Sequence, residues 1–368
     1  MAQRATTMTQ ISFRREASSR RFEPGRRRGP RVAGLLVVLA LLAPPGLRAE
    51  SLPTGDETAV KVAAVGKRLN PEDWAQDKVG PLTWRGGLEL TSPAPYFGGF
   101  SGLLLSTDGR HLTAVNDQGH WLTAEMTYDA AGDLSGLTGA AMGPLLGEDG
   151  APLDGKGRQD AESLARLANG DLLVAFERDH RLWRYAAVAT PAGQSPLAQR
   201  PNLVSPPEGS LSLPANQGLE AMVALPGGRI FAIAEGETEK DLHPAFIWDG
   251  QTWRHFSYRG ADGHRPTGAT LLPDGDILLL ERRFTTLGGL SLRLARLAAS
   301  ALQDPAGLTG KTLSGQELVR LSPPLTIDNF EGIAARQGAK GETLIALLSD
   351  DNFSPLQRTL LLLFELRD

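Results

Sequence analysis

One unit recurs along this chain and limits what it can fold into. AESLARLANGDLLVAFERD, Ala161–Asp179, reads as a carboxylate, a short apolar stretch, a glycine turn, a second apolar stretch and another carboxylate. Versions of it occupy Phe100–Asp117, Leu219–Gly236, Pro266–Phe284 and Phe330–Phe353. Apolar residues alternate with polar ones or run in short blocks bounded by Gly, Pro, Asp and Asn, the pattern of strands and turns rather than of helices. Asp108-Gly109, Asn169-Gly170, Gly227-Gly228 and Asp274-Gly275 each sit between two such runs and supply the positive φ of tight hairpins. Successive turn glycines lie 61, 58 and 47 residues apart, and a fifth unit centres on 338–341.

Self-similar hairpins at such intervals predict an all-β chain folded as a β-propeller, each unit forming one radial blade. Five units are visible. The C-terminal run Thr359–Arg367, paired with strands near Leu82–Leu90, predicts a sixth blade of mixed origin that closes the ring. A large β-sandwich or a β-helix is the competing all-β architecture. The predicted propeller domain spans 82–368, after a polar leader over 50–81.

Residues 1–49 read differently. A basic lead with nine arginines through Arg31 precedes the apolar run Val32–Ala43, which Pro44, Pro45 and Gly46 break before the small residue Ala49. That is the three-part plan of a secretory signal peptide, and the run is shorter than the ~20 residues of a membrane span. Ser19-Arg20-Arg21-Phe22 is a partial twin-arginine element, lacking the spacer residue before the Phe. The expectation is a periplasmic or secreted monomer, with no membrane attachment after cleavage.

The first 49 residues hold ten Arg and two Glu, so the rest has 28 basic and 40 acidic residues, a net charge of −12. Such a balance argues against nucleic acid and anionic membranes as partners and suits a host for cations. With no cysteine, disulfides, thiolate nucleophiles and Cys-based metal sites are excluded.

The acidic residues keep step with the repeats. Glu162 leads its unit and Glu177 trails it fifteen residues on; Glu220 and Glu235 repeat the spacing; Glu331 and Asp350 lie nineteen apart around a longer turn. Ser101 leads and Asp117 trails in the first unit, and in the fourth Thr267 leads and Glu281 trails. A hairpin returns on itself, so leading and trailing residues share one end. Glu162, Glu220 and Glu331 are expected to converge at one channel mouth, with Asp117, Glu177, Glu235, Glu281 and Asp350 around them. Crowded carboxylates require a cation, basic side chains or shared protons, and Ca²⁺ prefers such oxygen donors. Asn329 adds an amide oxygen. Arg178 and Arg282 follow acidic residues directly and suit an anionic substrate; His180 is a candidate acid/base.

These runs resemble a known family. SGL at 101–103, AVND at 114–117, DAESL at 160–164, FERD at 176–179, NQGLEAM at 216–222, LLLERRF at 278–284, DNFEGI at 328–333 and SDDNF at 349–353 are similar to the phytase-like domain, described as an esterase-like activity of phytase. The resemblance implies an exported β-propeller whose Glu and Asp residues serve phosphoester or ester hydrolysis. Thr267-Gly268-Ala269 departs from a ring composed only of carboxylates.

The resulting expectation is a Ca²⁺-dependent hydrolase of small anionic phosphate or carboxylic esters. Glu162, Glu220, Glu331, Asp117, Asp350 and Asn329 would hold the metal, and Glu177, Arg178, His180 and Arg282 would serve catalysis. No Gly-x-Ser-x-Gly elbow with a triad supports a serine hydrolase. A non-enzymatic propeller with structural Ca²⁺ and a lactonase-type propeller enzyme are the alternatives.

Overall fold

The computed structural model describes residues 57–187 and 194–367. The expected signal peptide over 1–49 and the start of the leader lie outside them. Five sheets, antiparallel apart from a short parallel edge strand, Thr312–Leu313, in the third, form the blades of a β-propeller. Blade 1 begins with Phe100–Leu105 and continues through His111–Asn116, His120–Tyr128 and Leu134–Pro144. Blades 2, 3 and 4 begin with Ala161–Arg166, Leu219–Leu225 and Arg265–Leu271, and each meanders outward in chain order. Blade 5 begins with Phe330–Gln337 and Thr343–Ser349. The first strand of each blade lies beside that of the next, and the first strand of blade 5 lies beside that of blade 1.

The expected sixth blade is corrected to a share of the fifth. Thr359–Leu366 pairs with Thr343–Ser349 on one side and with Leu82–Thr91 on the other, so both chain ends complete blade 5. The reason is an open edge: the fifth unit supplies only one hairpin, and its second strand needs a partner for its outer row of backbone groups. The segment expected as a leader also contributes, with Thr58–Ala59 on the edge of blade 1 and Ala63–Lys67 on the edge of blade 5.

Apolar blocks mark the strands because both faces of a blade are buried. Leu172, Val174 and Phe176 pack toward blade 1, while Leu173 and Ala175 pack toward blade 3. Ile345 and Leu347 face blade 4, and Leu344, Ala346 and Leu348 face blade 1. Period-two alternation therefore feeds two cores from one strand. Five such cores lie between blades 1 and 2, 2 and 3, 3 and 4, 4 and 5, and 5 and 1. The hairpin glycines Gly109, Gly170 and Gly275 adopt the expected positive φ.

One irregularity repeats in every blade and positions the site. Pairing between the first two strands slips by one residue at Ser101, Glu162, Glu220, Thr267 and Glu331. Each is the extra residue of a β-bulge, a device that re-aims a side chain out of the ladder. The residue after each bulge is small. At Gly268 a Cβ would lie 2.4 Å from the Glu331 carbonyl oxygen of the neighbouring blade, so the backbones approach too closely there for a side chain.

Candidate functional site

The five bulges place their residues at one end of the molecule, together with the residues that end each hairpin. The backbone N–H of Asp117, Glu177, Glu235 and Asp350 donates to the carbonyls of Gly99, Asp160, Gly218 and Asn329, at 3.0, 2.9, 3.1 and 2.9 Å. Each acceptor lies two residues before a bulge. In blade 4 the same register gives Arg282, which pairs with Arg265, whereas Glu281 pairs with Pro266. The trailing ring is therefore Asp117, Glu177, Glu235, Arg282 and Asp350. Glu281 was expected in it, and the structure overturns that. One residue of offset sends a strand side chain to the opposite face. Glu281 is fully buried between blades 3 and 4, accepting from Arg293 Nη1 at 2.7 Å and from the Tyr258 hydroxyl.

Arg282 is the cation set among the acids. Its Nη2 lies 3.6 Å from Glu331 Oε1 and 3.7 Å from Glu235 Oε1. Asn329 Nδ2 donates to Glu331 Oε1 at 3.0 Å and to Asp350 Oδ2 at 3.1 Å, tying a leading to a trailing carboxylate. Lys156 Nζ reaches Asp117 Oδ2 at 2.7 Å and Asp160 Oδ1 at 3.2 Å. Arg178 pairs with Asp160 from the rim. Its backbone sits at φ 62°, a left-handed conformation uncommon for a residue with a side chain. Glu177 Oε2 accepts from the Gly218 N–H at 3.2 Å.

Glu162, Glu220 and Glu331 are each 9% exposed and act on one another. Burial, then the charges of Glu331, Glu177, Asp160 and Asp117, hold Glu162 well above the usual carboxylate range. Burial, then Glu235, Glu162 and Glu331, do the same to Glu220. Burial also raises Glu331, against the opposing charge of Arg282. Burial and Asp160 push Glu177 up to about 7, and burial and Glu331 push Asp350 up to about 8. Burial raises Asp117 against the nearby Lys156 ammonium. Desolvation and like charge thus act in one direction across the cluster.

The tightest grouping is in blade 2. Among the described residues, Asp160, Glu162 and Glu177 are the acidic triad with ligand oxygens all within 4.8 Å of one another. Glu220 and Glu331 join Glu162 through the field rather than at one point. Two further oxygens, Asp117 Oδ1 and Asn329 Oδ1, are buried without a hydrogen-bond partner. An all-oxygen set of carboxylates and one amide, with buried oxygens unpartnered, fits a hard cation such as Ca²⁺.

Of the residues expected from sequence, Glu162, Glu177, Glu220, Glu331, Asp117, Asp350, Asn329, Arg178 and Arg282 all lie in or on this cluster. His180 does not join it: its Nε2 is directed at the carbonyls of Leu213 and Pro214, at 3.1 and 3.2 Å. Asp160 and Lys156 are additions. Asp160 was visible as the first residue of DAESL, in the column that holds Gly99, Gly218 and Asn329 in other units.

The fold and the site define a β-propeller with a carboxylate-lined mouth. The family model described as phytase-like, esterase-like activity of phytase, matches residues 95–353, and the chain belongs to that family. No curated protein matches it. Some solved structures are similar to the chain at low identity. A protein of unknown function from Dyadobacter fermentans is 15% identical with a TM-score of 0.42, over 83% of this chain and 91% of that one. A gluconolactonase from Xanthomonas campestris is 13% identical with a TM-score of 0.36, over 84% and 98%. A virginiamycin B lyase from Staphylococcus aureus is 13% identical with a TM-score of 0.34, over 74% and 86%.

Proposed function

We propose that the chain is a calcium-dependent hydrolase of small anionic phosphate or carboxylic esters, acting as an exported monomer in the periplasm or outside the cell. One observation carries the reading. Repeated bulges drive acidic side chains into a buried cluster, and Asp117 Oδ1 and Asn329 Oδ1 are left there without partners. The family description supplies the ester chemistry.

Asp160 and Glu162 would hold the cation, with Glu220, Glu331, Asp117, Asp350 and Asn329 completing its oxygen surroundings. Bound there, it supplies Lewis-acid polarisation of a phosphoryl or carbonyl oxygen and makes water more acidic. The protein's own groups do the rest. Arg282 and Arg178 attract and orient the anionic end of the substrate. Lys156 and Arg178 hold the Asp160 carboxylate in place through their ion pairs. Glu177 takes a proton from the attacking water. Burial of the leading glutamates keeps bulk water from screening these charges.

The test is the metal content of the purified protein, then turnover of phosphomonoesters, phosphodiesters, carboxylic esters and lactones with and without chelator. Stoichiometric calcium and chelator-sensitive ester turnover are expected, both lost in the Glu220→Gln/Glu331→Gln double variant. Full activity in that variant would sink the proposal. Bound calcium without turnover of any ester would favour a ligand-binding propeller.

A further inference from the structure

Blade 4 is built differently at the mouth. In the other four blades the second strand stops just before its trailing carboxylate: Asn116, Phe176, Ala234 and Ser349 are the last strand residues. In blade 4 the strand runs on through Arg282 to Thr285, and Gly289–Leu297 pairs with it along that extension. The result is a β-flap projecting past the acidic ring. Period two sets its faces. Arg282 and Phe284 share one face, and Leu290, opposite Phe284 in the ladder, joins them.

That face lines a cavity of about 600 Å³ whose other wall includes Asn329, Asn352 and Gln357. The cavity is within the size range of small-molecule sites. It is polar where it meets the cluster and apolar at the flap. Two of its lining residues carry unpartnered buried atoms, Arg282 Nε and Asn329 Oδ1, and Asn329 is only 4% exposed. Phe284 is 68% exposed, an aromatic ring left in water beside the site. Water gains nothing from it, and a hydrocarbon group placed against it would remove that surface from solvent.

We propose that this flap face is a specificity subsite for an aromatic or hydrocarbon group on the ester substrate, whose anionic end lies toward Arg282. The inference rests on the mouth being an ester-hydrolysing site and narrows its substrates to amphipathic monoanions or dianions. Polyanions with no apolar face would leave Phe284 and Leu290 uncovered and would add charge beside Glu331 and Asp350.

The test separates binding from turnover. Phenylphosphonate and methylphosphonate carry the same anionic head and are not hydrolysed. With calcium in the buffer, titration calorimetry should give a dissociation constant at least about tenfold lower for the phenyl compound, the scale of burying a few apolar carbons. Phe284→Ala should collapse that ratio toward one, and Phe284→Leu should keep most of it. The ring's exposure means the five cores remain intact in both variants, which an unchanged Tm verifies. Equal affinities in the unmodified protein, no binding of either compound, or an unchanged ratio in Phe284→Ala would overturn the subsite. Failure of the hydrolase reading looks different: phenyl phosphate is not turned over while the phenyl preference in binding persists.

Discussion

Blades 2 and 4 share a backbone and differ in chemistry. Both carry a bulge in the first strand, at Glu162 and at Thr267, and both close the hairpin fifteen residues later, at Glu177 and at Arg282. Blade 2 puts three carboxylates within 4.8 Å of one another. Blade 4 puts a guanidinium in the ring and uses its neighbouring carboxylate elsewhere. Thr267 Oγ1 donates across to the Phe330 carbonyl at 3.2 Å, and Glu281 joins Tyr258 and Arg293 between blades. The bulge is thus a frame that aims whatever residue it holds. An acid aimed at the mouth becomes a ligand candidate, and an acid turned between blades onto an arginine becomes a structural tie.

The comparison breaks most sharply if one residue is neutralised in each blade. Glu162→Gln removes a charge from the triad and should cost about 10²–10³-fold in kcat/KM together with the bound calcium, the scale of losing a central electrostatic group. It should also raise the Tm of the calcium-free protein, because like charge is relieved. Arg282→Gln should leave calcium in place and act mainly on KM, since its cation meets the substrate. Metal analysis beside steady-state kinetics separates the two. Calcium lost equally from both variants would erase the distinction between the blades.

Glu281→Gln tests the structural half. Arg293 is 4% exposed, and its Nη1 would face a neutral amide. Breaking a buried pair costs about 3–5 kcal/mol. The low end applies, because Glu317 still holds Arg293 Nε at 3.0 Å. A fall in Tm of roughly 5–10 °C is expected, with calcium content unchanged. A stable variant that had lost its metal would return Glu281 to the mouth.

A smaller effect is set by pH. Glu177 and Asp350 bind protons more tightly folded than unfolded, at about 7 and about 8 against ordinary values of 4.5 and 3.8. Their contribution to stability is therefore complete at low pH and is lost as pH climbs from about 4 through about 8. The Tm of calcium-free protein should drop by several degrees across that window. With calcium bound the carboxylates are already ionised and compensated, so the slope should flatten. Parallel curves with and without calcium would detach these residues from the metal.

Much of this was legible in the repeats. The hairpins, their glycine turns and the columns at Glu162, Glu220 and Glu331 follow from local pattern, because period two and turn chemistry are local. Blade number was not. The expected pairing of Thr359–Leu366 with Leu82–Thr91 is present, but Thr359–Leu366 also pairs with Thr343–Ser349, which puts both in blade 5, and an apolar strand carries no mark of which sheet it joins. The misplacement of Glu281 was avoidable. The fifteen-residue spacing of Glu162 to Glu177 and Glu220 to Glu235, applied to Thr267, gives Arg282. Register, not acidity, decides which residue faces the mouth. Asp160 was missed for the related reason that the same column holds glycine in two other units.

His180 gives the smallest and most local test of the contrast between aimed and tying residues. It lies three residues beyond Glu177, within FERDH, where sequence suggests an acid/base. The structure spends its Nε2 on the Leu213 and Pro214 carbonyls, which an imidazole can hold only by donating a proton to them. The loop so held continues to Gly218, whose N–H donates to Glu177. His180→Ala should therefore cost at most about 1 kcal/mol of stability, the worth of one partly exposed hydrogen bond. It should leave the pH profile of kcat unmoved, with a change of no more than a few-fold in KM as the loop loosens. Glu177→Gln should remove the profile's acid limb. A limb that vanished in His180→Ala and survived in Glu177→Gln would exchange their roles and move the proton-handling group off the acidic ring.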